Sequence, residues 1–278
     1  MSLVVAETMT GADIANNPTT KNEAEPSGST AVIIQARIGS TRLPGKVLLP
    51  LAGKPALERL IERVKWANLV DQVIVATTTE TEDQAIEESA ERLGCLVCRR
   101  PEPEDVFSRV LEAARAHEIE TIVEVTADCP LIDPAHIDHL IRLYRLNAGQ
   151  AQAQVYVSNV LTRTWPDGFD LQVYDRAALE RIDAVVRGPH RSHVGWNITQ
   201  HPERGPWLLV NWSAPPEMFW PDLGLTLDEP ADLTLLDRIF REIFPWDASA
   251  EQVIALLRRK PHLAAINKFI RRKTPGEG

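Results

Sequence analysis

The sequence predicts an α/β protein built on a three-layer, mostly parallel sheet. Short apolar runs typical of buried strands alternate with stretches that carry apolar residues at helical spacing. Polar loops with glycine, threonine or aspartate follow several of these runs, and α/β proteins bind ligands at the carboxyl ends of their strands. The length of 278 residues and the hydrophobic content of 44% suffice for one large domain with its own core.

The alternation is clearest in the first half of the chain. Ala31–Ile34 is predicted to be the first buried strand, and Leu57, Leu60, Ile61 and Val64 form the apolar stripe of the first helix. Further strands are predicted at 47–51, 72–76, 95–98, 121–125, 154–157, 171–174, 207–212 and at the start of 226–230. Further helices are predicted at 82–93, 106–117, 135–146, 176–186, 187–201 and 230–243.

Composition divides the chain into three segments. Residues 1–30 are rich in Ala, Thr, Asn, Glu, Ser and Gly, and we expect them to form a disordered tail. Residues 31–245 form the predicted domain. Residues 246–278 form a predicted basic helical extension, which has no acidic residue between Gln252 and Gly276. A solvated helical face explains this extension, and a membrane or partner patch is the alternative.

The charge and the cysteines restrict the function classes. The net charge of -9 argues against nucleic-acid binding, although a local basic cluster can still bind a small anion. Three cysteines indicate a reducing compartment, and Cys95 and Cys98 are expected to be structural thiols because no second pair completes a zinc site. No apolar run approaches the ~20 residues that span a membrane, and no secretory signal is evident. We therefore expect a cytoplasmic protein with no membrane span.

A cationic loop follows the first predicted strand. It runs Gln35-Ala36-Arg37-Ile38-Gly39-Ser40-Thr41-Arg42-Leu43-Pro44-Gly45-Lys46. Its glycines allow close backbone approach, and its N–H groups and cations suit a polyphosphate. It is not a Walker motif, because five residues separate Gly39 from Gly45 and Val47 follows Lys46. The pattern alone leaves a surface turn as the alternative.

Two aspartates follow predicted strands. Asp128 comes after the strand at 121–125, and Asp228 ends another short strand. Carboxylates opposite a phosphate loop suit Mg²⁺, which is usually bound by one or two carboxylates and by substrate phosphates. The alternative is that each forms a turn or caps a helix. In a parallel sheet the cationic loop, Thr77 to Thr79 and Asp128 would share one crevice.

A second group of polar residues follows residue 160. Asp167 and Asp170 can accept hydrogen bonds from sugar hydroxyls, or form a plain turn. The basic cluster that contains Arg191 and His193 suits a carboxylate or phosphate of a second substrate, or an exposed helix. A metal face is a further alternative for the set at four-residue spacing, which is His193, Asn197 and His201.

Together these motifs resemble those of the sugar cytidylyltransferases. The cationic loop is similar to that of the spore coat polysaccharide biosynthesis protein F group, which is related to the acylneuraminate cytidylyltransferases. The second half of the loop also resembles that of 3-deoxy-manno-octulosonate cytidylyltransferase. Further matches in the same order extend the resemblance to about residues 31 to 243: Val75-Ala76-Thr77-Thr78, Glu104-Asp105-Val106 with Arg109, Asp128-Cys129-Pro130-Leu131-Ile132-Asp133, Ser158-Asn159, Pro166-Asp167-Gly168, Arg191 with His193, and Leu227-Asp228-Glu229-Pro230 with Asp232-Leu233.

The resemblance implies a nucleotide-diphosphosugar transferase-like, Rossmann-like fold. It implies transfer of CMP from CTP to a sugar or sugar acid in surface polysaccharide or glycan precursor synthesis, with pyrophosphate released, and it implies Mg²⁺ and a homodimer. The catalytic residues that it implies are Arg37, Arg42, Lys46 and Asp128. The implied nucleotide-binding residues are Gln35, Ala36, Arg37, Gly39, Ser40, Arg42, Lys46, Thr77, Thr78 and Arg109. The implied acceptor-binding residues are Asp167, Asp170, Arg191 and His193, and the implied metal ligands are Asp128 and Asp228.

The chain departs from the family pattern at two positions. Ala127 stands where the family usually has Gly, and Ser192 stands where it usually has Glu. The second departure bears on the identity of the acceptor. A GT-A-like glycosyltransferase is one alternative function, although two residues separate Asp167 from Asp170 and an Asp-x-Asp motif is normal there. A non-catalytic nucleotide-binding protein is the other.

Overall fold

The computed structural model describes residues 4–9, 28–187, 191–192, 194–201, 205–243 and 247–272. Its strands are β1 Val4–Met9, β2 Ser29–Gln35, β3 Pro50–Leu51, β4 Lys54–Pro55, β5 Gln72–Thr78, β6 Leu96–Arg100, β7 Ile119–Thr126, β8 Gln154–Ser158, β9 Gln172–Asp175 and β10 Trp207–Trp212. Its α-helices are α1 Ala56–Val64, α2 Gln84–Arg92, α3 Val106–Ala116, α4 Pro134–Ala148, α5 Arg176–Asp183, α6 Val194–Thr199, α7 Pro230–Glu242, α8 Ala250–Arg259 and α9 Pro261–Ala264.

One mixed sheet of eight strands runs through the molecule in the order β1-β10-β8-β9-β7-β2-β5-β6. The pairs on either side of β9 are antiparallel, and the other pairs of this sheet are parallel. Because β2 lies between β5 and β7, the loops that follow these three strands begin side by side at one edge. This is the edge at which the sequence places its polar motifs.

Alternating apolar residues of the strands form a core on each face of the sheet. In β2, Val32 and Ile34 join the core that includes α1 and α4, whereas Ala31 and Ile33 join the core that includes α3 and α5. The sheet is therefore the middle layer of three, and the predicted three-layer α/β fold is confirmed.

A third core lies beneath the loops at the carboxyl edge. Leu131 and Leu227, close in sequence to Asp128 and Asp228, pack in one cluster with Phe240 of α7 and Val253 and Leu257 of α8. The exposed side of α8 carries Arg258 and Arg259, as a solvated basic face requires. The C-terminal helices thus contribute buried apolar residues next to both aspartates.

Two predicted strands are wrong. Residues 46–48 form a 3-10 turn, in which the N–H of Leu48 donates to the carbonyl oxygen of Gly45, and only the two-residue β3 follows. Pro50 cannot donate a backbone hydrogen bond, which limits strand pairing there. The segment before Asp228 is an extended loop, with a single bridge between Asp167 and Gly224.

The N-terminal segment also differs from the expected disordered tail. Val4–Met9 is the edge strand β1, paired in parallel with β10, and β2 begins at Ser29. This pairing adds one strand at the edge of the sheet next to β10. Residues 10–27 lie outside the described part of the chain. The division into three segments otherwise stays a prediction.

Among the described residues, no helix combines the length and the apolar character that crossing a bilayer requires. Cys95, Cys98 and Cys129 are all free thiols. Burial raises the pKa of Cys95 and of Cys98, as it does for thiols packed in apolar surroundings.

Candidate active site

The cationic loop leaves β2 at Gln35 and folds back on its own backbone. The N–H groups of Ser40 and Gly45 donate to the carbonyl oxygen of Ile38, at 2.7 and 3.2 Å. Gly45 has a φ of 67°, in the left-handed region that favours glycine. This conformation leads into the 3-10 turn that begins at Lys46, so the closure of the loop places the lysine.

A buried carboxylate anchors this loop. Asp83 is only 2% exposed, and its Oδ1 accepts the backbone N–H of Ile38 at 2.7 Å. Its Oδ2 accepts the hydroxyl of Thr78. The Thr77 hydroxyl is buried without a hydrogen-bond partner. Asp83 was not predicted to belong to the site, although an acidic residue close behind the threonines that end β5 is a signal for it.

Lys46 brings the two predicted metal ligands together. Its Nζ donates to Asp128 Oδ2 at 2.7 Å and to Asp228 Oδ1 at 2.8 Å. Arg42 adds an ion pair of 3.0 Å to Asp228. The side chains of Lys46, Asp128 and Asp228 are 14%, 24% and 17% exposed, so solvent screens this cluster only in part. The structure thus brings the cationic loop to Asp128, as the strand ends predict, and adds Asp228 to the same cluster.

The charges of this cluster hold one another in the ionised form. Burial alone would lower the pKa of Lys46, but the carboxylates of Asp128 and Asp228 outweigh it and raise the pKa above its ordinary value. Burial also opposes ionisation of Asp128, but Lys46 outweighs it and keeps the pKa of that carboxyl below its usual range. Lys46 and Asp128 therefore stabilise each other's charged forms.

Backbone hydrogen bonds fix the two aspartate loops to each other. The N–H of Leu227 donates to the carbonyl oxygen of Asp128 at 2.8 Å. The N–H groups of Asp228 and Glu229 donate to Oδ2 of Asp232 in the first turn of α7, at 3.1 and 2.9 Å. Asp232 thus sets the backbone that carries Asp228, although the sequence alone assigned it no role.

The other predicted nucleotide residues lie along the same edge. Arg37 forms a 2.6 Å ion pair with Glu104, and both Arg37 and Arg109 donate to the carbonyl oxygen of Pro103, at 3.2 and 2.7 Å. Arg109 is buried and Arg37 is half-buried, so only Arg37 reaches solvent at the mouth of the loop. The structure places both arginines beside the loop, and their roles in binding a nucleotide stay predictions.

Gln35 belongs to a buried polar network below the loop. Its side-chain amide donates to Glu124 of β7, and the hydroxyl of Tyr174 donates to the other oxygen of the same carboxylate. Burial raises the pKa of Glu124 to about 7, because no cation offsets its loss of solvent. Glu124 was not predicted, since one acidic residue inside a strand has no distinctive sequence pattern.

The donor set around Lys46 fits Mg²⁺. Two carboxylates face one point, which the lysine ammonium marks by lying within hydrogen-bond distance of each. In the described part of the chain no group of three or more His, Cys, Asp or Glu side chains is arranged to hold a metal. Asp128 and Asp228 would supply two oxygen ligands, as Mg²⁺ sites that take substrate phosphates usually do.

Asp167 and Asp170 form a second acidic cluster. Arg163 pairs with Asp170 at 2.6 Å and with Asp167 at 3.6 Å. Burial and the neighbouring Asp170 raise the pKa of Asp167 to about 7, against the effect of Arg163. Gly168 between them has a φ of 114°, and a Cβ there would lie 2.6 Å from the backbone of Leu225. This turn is therefore packed on the loop that leads to Asp228.

Arg191, one of the two remaining predicted acceptor residues, is not brought to this cluster. Arg191 pairs with Asp105 and Asp183 at 2.8 and 3.0 Å, and it stacks on Phe107 at the start of α3. Its guanidinium also donates to Ser108. His193 lies outside the described residues. Acceptor binding stays a prediction for His193, whereas for Arg191 these contacts favour a structural role at α3.

Comparison with known proteins agrees with this geometry. A family profile described as cytidylyltransferase matches residues 31–164. The spore coat polysaccharide biosynthesis protein SpsF of Bacillus subtilis is 30% identical over 240 residues, which are 84% of this chain and 95% of the relative. The chain belongs to the cytidylyltransferase family. An uncharacterized protein of Methanocaldococcus jannaschii is 33% identical over 244 residues, covering 87% and 96% of the two chains.

A solved structure shows the same fold. The cytidylyltransferase from Leptospira borgpetersenii serovar Hardjo-bovis superposes with a TM-score of 0.78 and 29% identity, over 89% of this chain and 100% of the other. The predicted family and fold are therefore confirmed, and with them cytidylyl transfer as the chemistry of the family. The individual residue roles stay predictions.

Proposed function

We propose that this cytidylyltransferase family member transfers CMP from CTP to a sugar or sugar acid, with Mg²⁺ bound by Asp128 and Asp228. One observation carries the proposal: Lys46, at the end of the cationic loop, lies between two carboxylates that come from separate segments of the chain. A surface turn or a helix cap would not require these three side chains to converge. A triphosphate with its cation does.

In the proposed reaction, a hydroxyl of the acceptor attacks the α-phosphorus of CTP and releases its proton to solvent. The bond from that phosphorus to the bridging oxygen breaks, and pyrophosphate leaves. Phosphoryl chemistry of this kind depends mainly on positioning and on charge stabilisation. Arg42 and Lys46 would bind oxygens of the triphosphate and stabilise the charge that builds on pyrophosphate. Mg²⁺, when bound, supplies further neutralisation of the triphosphate charge.

The acceptor is proposed to bind beside Asp167 and Asp170. Carboxylates are good acceptors for sugar hydroxyls, and this turn packs against the loop that carries Asp228. The relative in Bacillus subtilis is named for polysaccharide biosynthesis. The resemblance to sugar-acid cytidylyltransferases supports an acidic sugar, whose carboxylate would require a cation such as Arg163.

Two further properties follow from the family resemblance. We propose that the protein acts in the cytoplasm, where CTP is available, and that it forms a homodimer. Light scattering during gel filtration tests the second proposal. A mass near twice 31.0 kDa is expected, and a mass of one chain would contradict it.

A pyrophosphate-release screen tests the function. CTP, UTP, ATP and GTP are each combined with acidic and neutral sugars in the presence of Mg²⁺. We expect release that depends on both CTP and an acidic sugar, and no release after Mg²⁺ is chelated. Nucleotide binding without pyrophosphate would contradict the proposal and favour a non-catalytic protein. Release of a nucleoside diphosphate from nucleotide sugars would instead indicate a glycosyltransferase.

A further inference from the structure

Asp232 connects the proposed metal loop to the C-terminal segment. It is fully buried, and one oxygen of its carboxylate accepts the N–H groups of Asp228 and Glu229. The other oxygen accepts the side-chain amide of Asn267 at 2.7 Å and Nη2 of Arg272 at 2.8 Å. Arg272 Nη1 also reaches the first oxygen, at 3.0 Å. One buried carboxylate therefore joins the backbone of Asp228 to two side chains about forty residues later.

The guanidinium of Arg272 occupies a space built for it. A Cβ at Gly224 would lie 2.1 Å from Nη2 and 2.5 Å from Cζ of Arg272, so only glycine leaves room for the guanidinium. Arg272 Nη1 also donates to the Thr226 hydroxyl at 3.2 Å, and Asn267 donates to the carbonyl oxygen of Gly224 at 2.8 Å. The C-terminal segment is thus fastened along residues 224–226, directly before Asp228.

Charge explains why an arginine serves here. A buried carboxylate is costly unless a cation is paired with it and its oxygens are hydrogen-bonded. Arg272 can give Asp232 two parallel hydrogen bonds, which a lysine cannot do. Arg272 also lies in the field of Asp167 and Asp228, so it offsets part of the negative charge that gathers at this edge.

We propose that Arg272, supported by Asn267, is a positioning residue that holds the Asp228 loop in place through Asp232. This inference rests on the proposed function in one respect, which is that Asp228 binds the metal. Arg272 touches neither the carboxylate of Asp228 nor the cationic loop in the contacts described above. Its effect is on the orientation of the Asp228 backbone, and therefore on how well the two carboxylates converge. Mutation of a residue that orients a metal ligand typically weakens metal affinity about ten- to a hundred-fold.

Two variants of the full chain remove the contact in different ways. Arg272→Gln removes the guanidinium. Gly224→Ala keeps it and places a methyl group where it lies, without any other backbone strain, since Gly224 is not in the left-handed region. Arg272→Lys retains the charge but loses the paired hydrogen bonds, so we expect partial rescue. Lys268→Gln is the matched control, because it removes one positive charge from an exposed position of the same segment.

Two measurements read the effect. Amide hydrogen exchange of the metal-free protein reports directly on the N–H groups of Asp228 and Glu229. Titration with Mn²⁺ alone and with CTP, followed by electron paramagnetic resonance, reports on metal affinity. We expect Arg272→Gln and Gly224→Ala each to accelerate the exchange and to weaken Mn²⁺ binding about ten- to a hundred-fold. Gly224→Ala should cause no further change in exchange or Mn²⁺ binding when it is combined with Arg272→Gln, because the guanidinium that its methyl group would displace is already absent.

Several results would overturn the inference. They are unchanged exchange in Arg272→Gln, accelerated exchange with unchanged Mn²⁺ binding, or an equal loss in Lys268→Gln. Additive losses in the double variant would also overturn it, since they would show that Gly224→Ala acts elsewhere. Failure of the proposed metal site has a different signature. In that case wild type would bind Mn²⁺ no more tightly than Asp228→Asn, whatever the exchange of the two amides.

Discussion

The triphosphate side and the acceptor side of this site are built in different ways. The triphosphate side is a chain of ion pairs of 2.7 to 3.0 Å, which join Lys46 to Asp128 and Asp228, and Arg42 to Asp228. The acceptor side holds two carboxylates, Asp167 and Asp170, with one arginine between them. Arg191, expected on this side, is bound instead to the start of α3.

The difference shows which part of the molecule is specialised for a common substrate. A triphosphate and its cation need fixed charges, and the third core under both aspartate loops keeps those charges in place. On the acceptor side, burial and the neighbouring carboxylate of Asp170 raise the pKa of Asp167 to about 7. A sugar with hydroxyl groups, and a neighbouring cation, would suit such a surface.

The largest expected effect is on the triphosphate side. Asp128→Asn keeps the shape of the side chain but removes a charge that would hold the metal. Loss of one preorganised electrostatic contact costs about 2.7–4 kcal/mol in comparable sites, so we expect turnover to fall about a hundred- to a thousand-fold. Steady-state pyrophosphate release measures this, with Asp222→Asn on an exposed loop as the matched control. Near-normal turnover of Asp128→Asn with Mg²⁺ would show that Asp128 has no catalytic role.

Lys46→Met tests whether the metal binds at the position between Asp128 and Asp228 that the Lys46 ammonium occupies. Without the lysine, the carboxylates of Asp128 and Asp228 repel each other, and unfolding free energy in EDTA should fall. We expect a loss between the ~1 kcal/mol of exposed pairs and the ~3–5 kcal/mol of fully buried ones. Mg²⁺ should restore part of it, because the cation would take over the neutralisation.

Urea unfolding with EDTA and with Mg²⁺ makes this measurement. Lys54→Met is the control, since Lys54 pairs with Glu62 away from the site. Its stability should respond to Mg²⁺ as wild type does. If Mg²⁺ stabilised Lys46→Met no more than it stabilises wild type, the metal would not bind where the Lys46 ammonium lies.

The buried carboxyl of Glu124 predicts that the stability of the protein depends on pH. Burial raises the pKa of this carboxyl from 4.5 to about 7 in the folded protein. The unfolded chain therefore releases the proton first, so wild-type stability falls as the pH rises from about 4.5 to about 7. The free energy of unfolding of Glu124→Gln should fall less over this range, and the difference from wild type should reach up to ~3 kcal/mol.

Urea unfolding of both proteins at pH 5 and pH 8 gives the difference, in which other titrating groups cancel. Glu120→Gln, at an exposed position of the same strand, should keep the wild-type pH slope. Equal slopes for wild type and Glu124→Gln would show that Glu124 is ionised in the folded state throughout.

The smallest expected effect is that of Arg191→Gln. This change breaks ion pairs to Asp105 and Asp183, and we expect the free energy of unfolding to fall by about 1–3 kcal/mol. The KM for the acceptor should not change, because the guanidinium is bound at α3. Thermal unfolding and acceptor kinetics test this together. A raised acceptor KM with unchanged stability would return Arg191 to the acceptor side.

The sequence predicted the triphosphate side better than the rest. Lys46 and Asp128 follow neighbouring strands, and parallel pairing alone brings such positions to one edge. Asp83 and Asp232 escaped prediction, because their partners are backbone groups whose position depends on the tertiary fold. For the same reason the basic C-terminal helices were not expected to pack under both aspartate loops.

Two secondary-structure predictions failed because of backbone hydrogen bonds. The apolar run at 47–51 was predicted to be a strand, but hydrogen bonds to residues three positions back form a 3-10 turn. Strand β1 was missed because its pairing partner, β10, lies about two hundred residues later. Periodicity describes which residues are buried, whereas these two cases depend on which backbone groups meet.

Asp128, Asp228 and the cationic loop are proposed to form one site for a metal and a triphosphate. Calorimetric titration of CTP into the metal-free protein, with and without added Mg²⁺, tests it most directly. We expect Mg²⁺ to tighten CTP binding to wild type, and to have no such effect on Asp128→Asn with Asp228→Asn. Equal enhancement by Mg²⁺ in both proteins would place the metal elsewhere and contradict the account.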